Sequence, residues 1–285
     1  MSIMRKLREY LNRPLSFVMF LLIIISTVIT ALTVVFIIGY IFIKGVPNLS
    51  LDLFSLKYSS SNQSMLPSII NTVYLTALTL LLAVPIGIFS AIYLAEYSRK
   101  NSFFVKIINI ANETLSGIPS IVYGLFGFLA FVISKKWGYS LLAGVITLAI
   151  MVLPLIIRTS QEAMLGVDNT FREASYGLGA GKLRTVFKIV LPSAMPGILS
   201  GIILAIGRIV GETAALIYTA GTVPEAATKL TSSSRTISVH LYCLLNEGLY
   251  TEQAYATAVV LIVFVVIINA LSNALSNALA KKIMK

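Results

Sequence analysis

Six long apolar runs decide what this 285-residue chain can become. A helix needs about 20 predominantly apolar residues to cross the hydrocarbon core of a bilayer. Runs of that order stand at about 17–43, 67–95, 116–133, 141–157, 197–221 and 255–279. The predicted fold class is therefore all-α: a single transmembrane domain over residues 1–285, polytopic, with six membrane helices. Composition agrees, with 57% hydrophobic residues, 12% charged residues and a mean hydropathy of +0.91. A soluble domain carries about 25% charged residues. The first run follows Arg5, Lys6, Arg8 and Arg13, as a signal peptide would. It is longer than an h-region of about 7–15 residues, and no small-residue cleavage site closes it, so it reads as a retained first helix.

The formal charge of +11 raises nucleic acid as a partner, but its distribution argues for membrane topology instead. With the N-terminus inside, the inner segments hold the four N-terminal cations, Arg99, Lys100, Lys106, Arg158, Arg172, Lys182, Arg184, Lys188, Lys281, Lys282 and Lys285. The outer segments hold only Lys44, Lys57, Lys135, Lys136, Lys229 and Arg235. Lys and Arg concentrate on the cytoplasmic side of membrane proteins, so both termini and the 168–192 stretch are expected there. The single Cys243 and single His240 leave no disulfide framework and no convincing metal cluster. Both read as packing residues of a short helix in the 224–252 segment, whose structure the sequence does not reveal.

Between the fourth and fifth runs lies a polar, basic island, Asp168–Pro192. Ala174, Ser175, Gly177, Gly179, Ala180 and Gly181 are too small to build a core, and small residues let another backbone come close. Arg172, Glu173, Lys182, Arg184 and Lys188 flank them. A short helix, a Gly-rich turn and a second short helix would make a knob for a groove on a partner; a solvated flexible loop is the alternative. The spacing of Glu173-Ala174-Ser175, Gly179 and Ile189-x-Leu191-Pro192 resembles the cytoplasmic coupling loop of bacterial ABC importer permeases, with Ser175 where the pattern has Ala. That resemblance implies that Glu173, Ala174, Ser175, Gly179, Ile189, Leu191 and Pro192 couple the chain to cytoplasmic ATPase subunits. The chain has no P-loop of its own: Gly181-Lys182 is followed by Leu183, and Tyr176 stands where the first Gly should be. It is not expected to be an enzyme, and no cofactor is expected on it; ATP and Mg would belong to the partner.

The fifth run carries the charges that a bilayer resists. At 100° per residue, Gly197, Gly201, Leu204, Gly207, Arg208, Gly211, Glu212, Ala215 and Thr219 share one arc, opposite Ile198, Leu199, Ile202, Ile206 and Ile209. The aliphatic side suits lipid or outer helices. The other is a small-residue stripe with two G-x-x-x-G spacings, which favours close helix approach. Arg208 and Glu212, four apart, would stack in it. A mid-membrane Arg costs roughly 2.5–3.5 kcal/mol on insertion scales. An i,i+4 pair returns only about 0.2–0.5 kcal/mol. Two readings stand: a structural salt bridge between packed helices, or a substrate path.

The stretches GRIVGETAALIYTAG, SGIPSIVYGLFG (116–127) and TISVHLYCLLNEGLY (236–250) resemble phosphate-type ABC permeases, and the last of them the A-type subunit. That resemblance implies a permease subunit in a bacterial cytoplasmic membrane that moves inorganic phosphate inward along a path holding Arg208 and Glu212. It also implies a second, related C-type permease subunit or a second copy, and an external phosphate-binding protein; no nucleic acid is expected. A permease for another oxyanion and an ATP-independent ion-coupled carrier or channel are the alternatives. An intramembrane enzyme lacks a nucleophile beside a base or metal.

Overall fold

The computed structural model describes residues 14–98 and 102–283, and those residues form helices and loops with no strand. Eleven α-helices are named here in chain order. They are α1 Pro14–Gly45, α2 Leu66–Ile92, α3 Phe103–Ser116, α4 Ser120–Gly127, α5 Leu141–Leu165, α6 Asn169–Gly177, α7 Lys182–Thr185, α8 Leu191–Val210, α9 Ala214–Thr219, α10 Ile237–Glu247 and α11 Thr251–Ile283. Wide π turns extend α2 through Tyr97 and α4 through Ser134, and join α7 to α8. Five helical stretches are long and apolar enough to span a membrane. A sixth arises if α3 and α4, bent by 100° across Gly117–Pro119, count as one.

Helix α5 is the axis of the molecule. Two thirds (67%) of its most apolar window is buried, against none of α1's. Its core residues Val145, Leu148, Val152 and Ile156 meet Leu75 and Ala83 of α2, Ala205 and Ile209 of α8, and Ala215 and Leu216 of α9. Small residues set the spacing: a Cβ at Gly87 of α2 would run into Ile156 at 2.6 Å, and one at Gly197 into Ala163 at 2.7 Å. A chain with a large apolar payload and no water to drive helices together associates through such close van der Waals contact. Helix α1, uncovered nearly all round, touches α11 near Gly45 and through Tyr40 against Tyr255, ring centroids 5.9 Å apart. Its uncovered faces are largely apolar along its whole described length.

Two runs differ from the sequence reading. The third, expected at 116–133, starts at Ser120 after a break at Gly117–Pro119, and it is preceded by α3, an amphipathic helix turned across it. The fifth run, expected at 197–221, is helical from Lys182 to Val210 and then stops. Pro192 falls inside this continuous stretch, two residues after the π turn Val186–Val190. Gly211 caps the C-terminus and donates its N–H back to the Gly207 carbonyl, and the chain re-forms a short helix only at Ala214. A 3.6-residue periodicity continues in sequence across such a gap, so the period alone does not reveal it.

Candidate functional site

The break in α8 positions the predicted charges. Gly197 and Gly201 face Ala163 and Thr159 of the antiparallel α5. Carrying that register along the pair puts Arg208 level with Val152, about midway along α5; Ile209, next to it, packs in the cluster that contains Val152. Arg208 therefore lies at mid-depth, as the sequence suggested, but in the last turn of a helix that ends there. The negative end of a helix dipole favours a cation at that place. Its guanidinium is half-buried, within electrostatic range of Tyr123 of α4, and no ion pair or hydrogen bond holds it among the described residues.

Glu212 does not stack on Arg208. It lies beyond the helix end, 8% exposed, and its Oε1 accepts a hydrogen bond from the Ala215 N–H at 3.1 Å, capping α9. The ion pairs among the described residues are Arg158–Glu162 and Arg172–Glu96, so the local Arg208–Glu212 salt bridge is not formed. The predicted stripe is split as well. Gly197 and Gly201 pack on α5 within this chain, Ile198 and Ile209 are core rather than lipid face, and Leu204 (60% exposed) and Gly207 lie on an uncovered side. The reason is the α5 contact, which takes the smallest residues of α8 wherever they stand.

Helix α4 supports the break from the other side. A Cβ at Gly124 would meet the Ala215 Cα at 2.8 Å, and one at Gly127 would clash with Thr147 and Thr219. Tyr123 is buried, with its hydroxyl donating to the Leu115 carbonyl at 2.8 Å; it is a packing residue that braces the α3–α4 bend.

The 168–192 stretch is a helix–turn–helix, not a flexible loop. Asp168 caps α6 by accepting from the Thr170 N–H at 2.9 Å, and that bond with the Thr170 hydroxyl holds its carboxyl below the usual range. Gly179 has φ +81°, the left-handed region that glycine enters without strain, and the turn it makes lets Ala180 N–H reach the Ser175 carbonyl. Ser175 is buried and its hydroxyl is 2.8 Å from that of Thr185, so the residue that departs from the Ala pattern ties α6 to α7. Glu173, Ala174 and Gly179 are exposed; Ile189, Leu191 and Pro192 are half-buried. Around them stand uncovered apolar side chains: Phe171, Tyr176, Leu178 (89% exposed) and Leu183.

Sequence reasoning passed over Asn71, Glu96 and Arg235. Asn71, fully buried in the second turn of α2, donates to the Glu225 and Arg235 carbonyls at 3.0 and 3.2 Å and accepts from the Ala227 N–H at 2.8 Å. Thr72 accepts from Ile237 N–H at 3.0 Å. These bonds fold the 222–236 segment onto the end of the bundle opposite the 168–192 loop. The short helix expected in the 224–252 segment is α10, with His240 fully buried and set edge-on to the Tyr58 ring. A polar Asn at the start of an apolar run was the available signal.

The described residues thus place a broken helix and a charge without a partner between two ends, one of them a helical knob. The chain belongs to the family of binding-protein-dependent transport system inner membrane components, whose model matches residues 83–285. It is 37% identical over 185 residues to the probable ABC transporter permease protein YqgI of Bacillus subtilis, covering 64% of this chain and 63% of that one. It is 35% identical over 218 residues to the phosphate transport system permease protein PstA of Haemophilus influenzae, covering 76% and 77%. The match thus spans less than two thirds of the Bacillus protein. The fold is that of a crystal structure of a bacterial ABC transporter that imports the acidic polysaccharide alginate: TM-score 0.66, 18% identity, 96% of this chain and 99% of that one. The resemblance drawn from the sequence motifs is borne out, and the chain is a multi-pass membrane protein.

Proposed function

We propose that this chain is a permease subunit of an ATP-driven importer that carries inorganic phosphate into the cytoplasm. The observation that carries the reading is Arg208: a half-buried cation at mid-depth, at a helix break, with no ion-pair or hydrogen-bond partner among the described residues. An intramembrane charge of this kind costs roughly 2.5–3.5 kcal/mol and marks a substrate path by default. Discontinuous helices near the midplane are where transporters handle ions. The planar, always-charged guanidinium suits a tetrahedral oxyanion. The PstA relatives support phosphate as that oxyanion.

In this reading the 168–192 knob faces the cytoplasm, as the Lys and Arg distribution suggests, and docks on an ATPase subunit that binds ATP and Mg. A second permease subunit covers the Leu204–Gly207 side, and an external binding protein delivers phosphate. Glu212 holds the break in shape through Ala215. Its second oxygen accepts a hydrogen bond from the hydroxyl that phosphate keeps at neutral pH and sulfate lacks. A buried acceptor without a donor costs about 1–3 kcal/mol, enough to discriminate by tenfold or more.

The test is phosphate and sulfate flux through the reconstituted complex without the binding protein. Arg208→Gln should abolish phosphate flux; uptake at the wild-type rate would overturn the reading. Glu212→Gln should lower the phosphate-to-sulfate ratio. An unchanged ratio would leave Glu212 as a helix cap alone, and sulfate or another oxyanion carried in preference would reassign the cargo.

A further inference from the structure

The guanidinium of Arg172, on α6, uses all five of its N–H groups. Nε and Nη2 donate to Glu96 Oε1 at 3.1 and 2.6 Å. Nη2 also donates to the Met164 carbonyl at 2.8 Å, and Nη1 to the Val167 carbonyl at 2.7 Å and to Asn169 Oδ1 at 3.3 Å. Met164 lies in the last turn of α5, where carbonyls have no partner within the helix. One side chain thus joins the knob, the end of α5 and, 76 residues earlier in sequence, the end of α2.

Glu96 sits in the π turn that closes α2, its side chain 6% exposed. A second contact lies beside it: Lys182 Nζ stands 4.9 Å from the Tyr97 ring. Beneath both, Ala91 and Ile92 of α2 pack in one apolar cluster with Met164, Val186, Val190 and Ile198. Chain connectivity links the knob to α5 and α8 only. Helix α2 has no chain link to the knob: it is reached through these side chains and through its packing along α5, and at its other end Asn71 and Thr72 hold the 222–237 segment.

We infer that Arg172 and Glu96 form a latch that makes α2 move with the knob, so that α2 carries knob movement to the opposite end of the bundle. Arg172 is then a positioning residue, acting through α2 on a segment it never touches. The inference rests on the reading that an ATPase docks on the knob. A latch of this type must be charged and buried: an exposed ion pair yields to water, whereas here the pair is shielded and geometrically fixed.

The experiment uses the full complex in proteoliposomes, with phosphate uptake and ATP hydrolysis measured together. Glu96→Gln removes the charge and leaves the shape. ATP hydrolysis should persist while phosphate carried per ATP falls about fivefold or more, the range of a typical coupling energy. Glu96→Asp, which keeps the charge, should recover much of that ratio. Should Glu96→Gln not assemble, Tyr97→Leu cuts the second contact and should lower the same ratio by less. Wild-type stoichiometry in Glu96→Gln overturns the latch, as does a parallel loss of uptake and hydrolysis that Glu96→Asp does not relieve. A readout independent of cargo is hydrogen exchange at 93–97. It should slow when the ATPase subunit docks on the wild type and not on Glu96→Gln. That result in a complex that carries no phosphate would sink the functional reading and keep the latch; no response at 93–97 to docking would sink the latch.

Discussion

Arg172 and Arg235 are both arginines brought by the fold to buried places at opposite ends of the bundle, and they are held in opposite ways. Arg172 has a carboxylate, two terminal carbonyls and an amide oxygen for its five N–H groups. Arg235 is 4% exposed, with Nε and Nη2 unpaired and its guanidinium 4.7 Å from the Tyr58 ring. A desolvated cation–π contact returns about 2 kcal/mol. Taking an ion out of water costs several. The comparison teaches that burial alone does not report rigidity. The knob end is a matched network; at the opposite end the Arg235 guanidinium keeps two nitrogens without partners, over the Tyr58 ring and near His240 and Cys243.

The sharpest way to break the comparison is to remove each charge. Arg172→Ala leaves Glu96 buried and alone, which should cost about 3–5 kcal/mol. Arg235→Met replaces an unmatched charge by apolar volume and should change stability by less than about 1 kcal/mol or raise it. Thermal unfolding of the two detergent-solubilised variants reads the contrast; equal losses would dissolve it. Next is Asn71→Ala, which strips the partners from two carbonyls and an N–H and should cost about 3 kcal/mol. The faster hydrogen exchange that follows should be confined to 222–237.

Acid should act on the Arg235 end, through His240. Burial, reinforced by the Arg235 charge, pushes His240 down from its ordinary value to about 3. The unfolded chain takes up a proton below about pH 6.5 that the folded chain refuses, so this stability is complete above that pH and declines as pH falls. Between about pH 6.5 and 5 the loss is about 2 kcal/mol, and His240→Leu should flatten that part of the melting-temperature profile. The smallest effect belongs to the knob. Ser175→Ala removes the bond to Thr185, which keeps the Gly181 carbonyl, and should cost about 1 kcal/mol. A larger loss would mean that the α6–α7 contact is less redundant than its network suggests.

The helical membrane class followed from run length alone, because a bilayer leaves the backbone no other partner than itself. The knob was legible too: its small residues and Gly179 are local signals with local consequences. The depth of Arg208 was legible from its distance along an apolar run. Three things were not. The break after Val210 is set among elements distant in sequence: Gly124 and Gly127 bring α4 against α9 and α5, and Gly201 brings α8 against Thr159 of α5. The partners of Arg172 and Asn71 lie 76 and more than 150 residues away in sequence. The orientation of α8 was settled by which glycines α5 occupied. Sequence by itself determined what had to avoid water and where the chain could turn, since hydropathy and backbone freedom are properties of neighbours along the chain. Only the tertiary structure decided which polar groups met, since a buried charge is defined by what the fold brings within 3 Å of it.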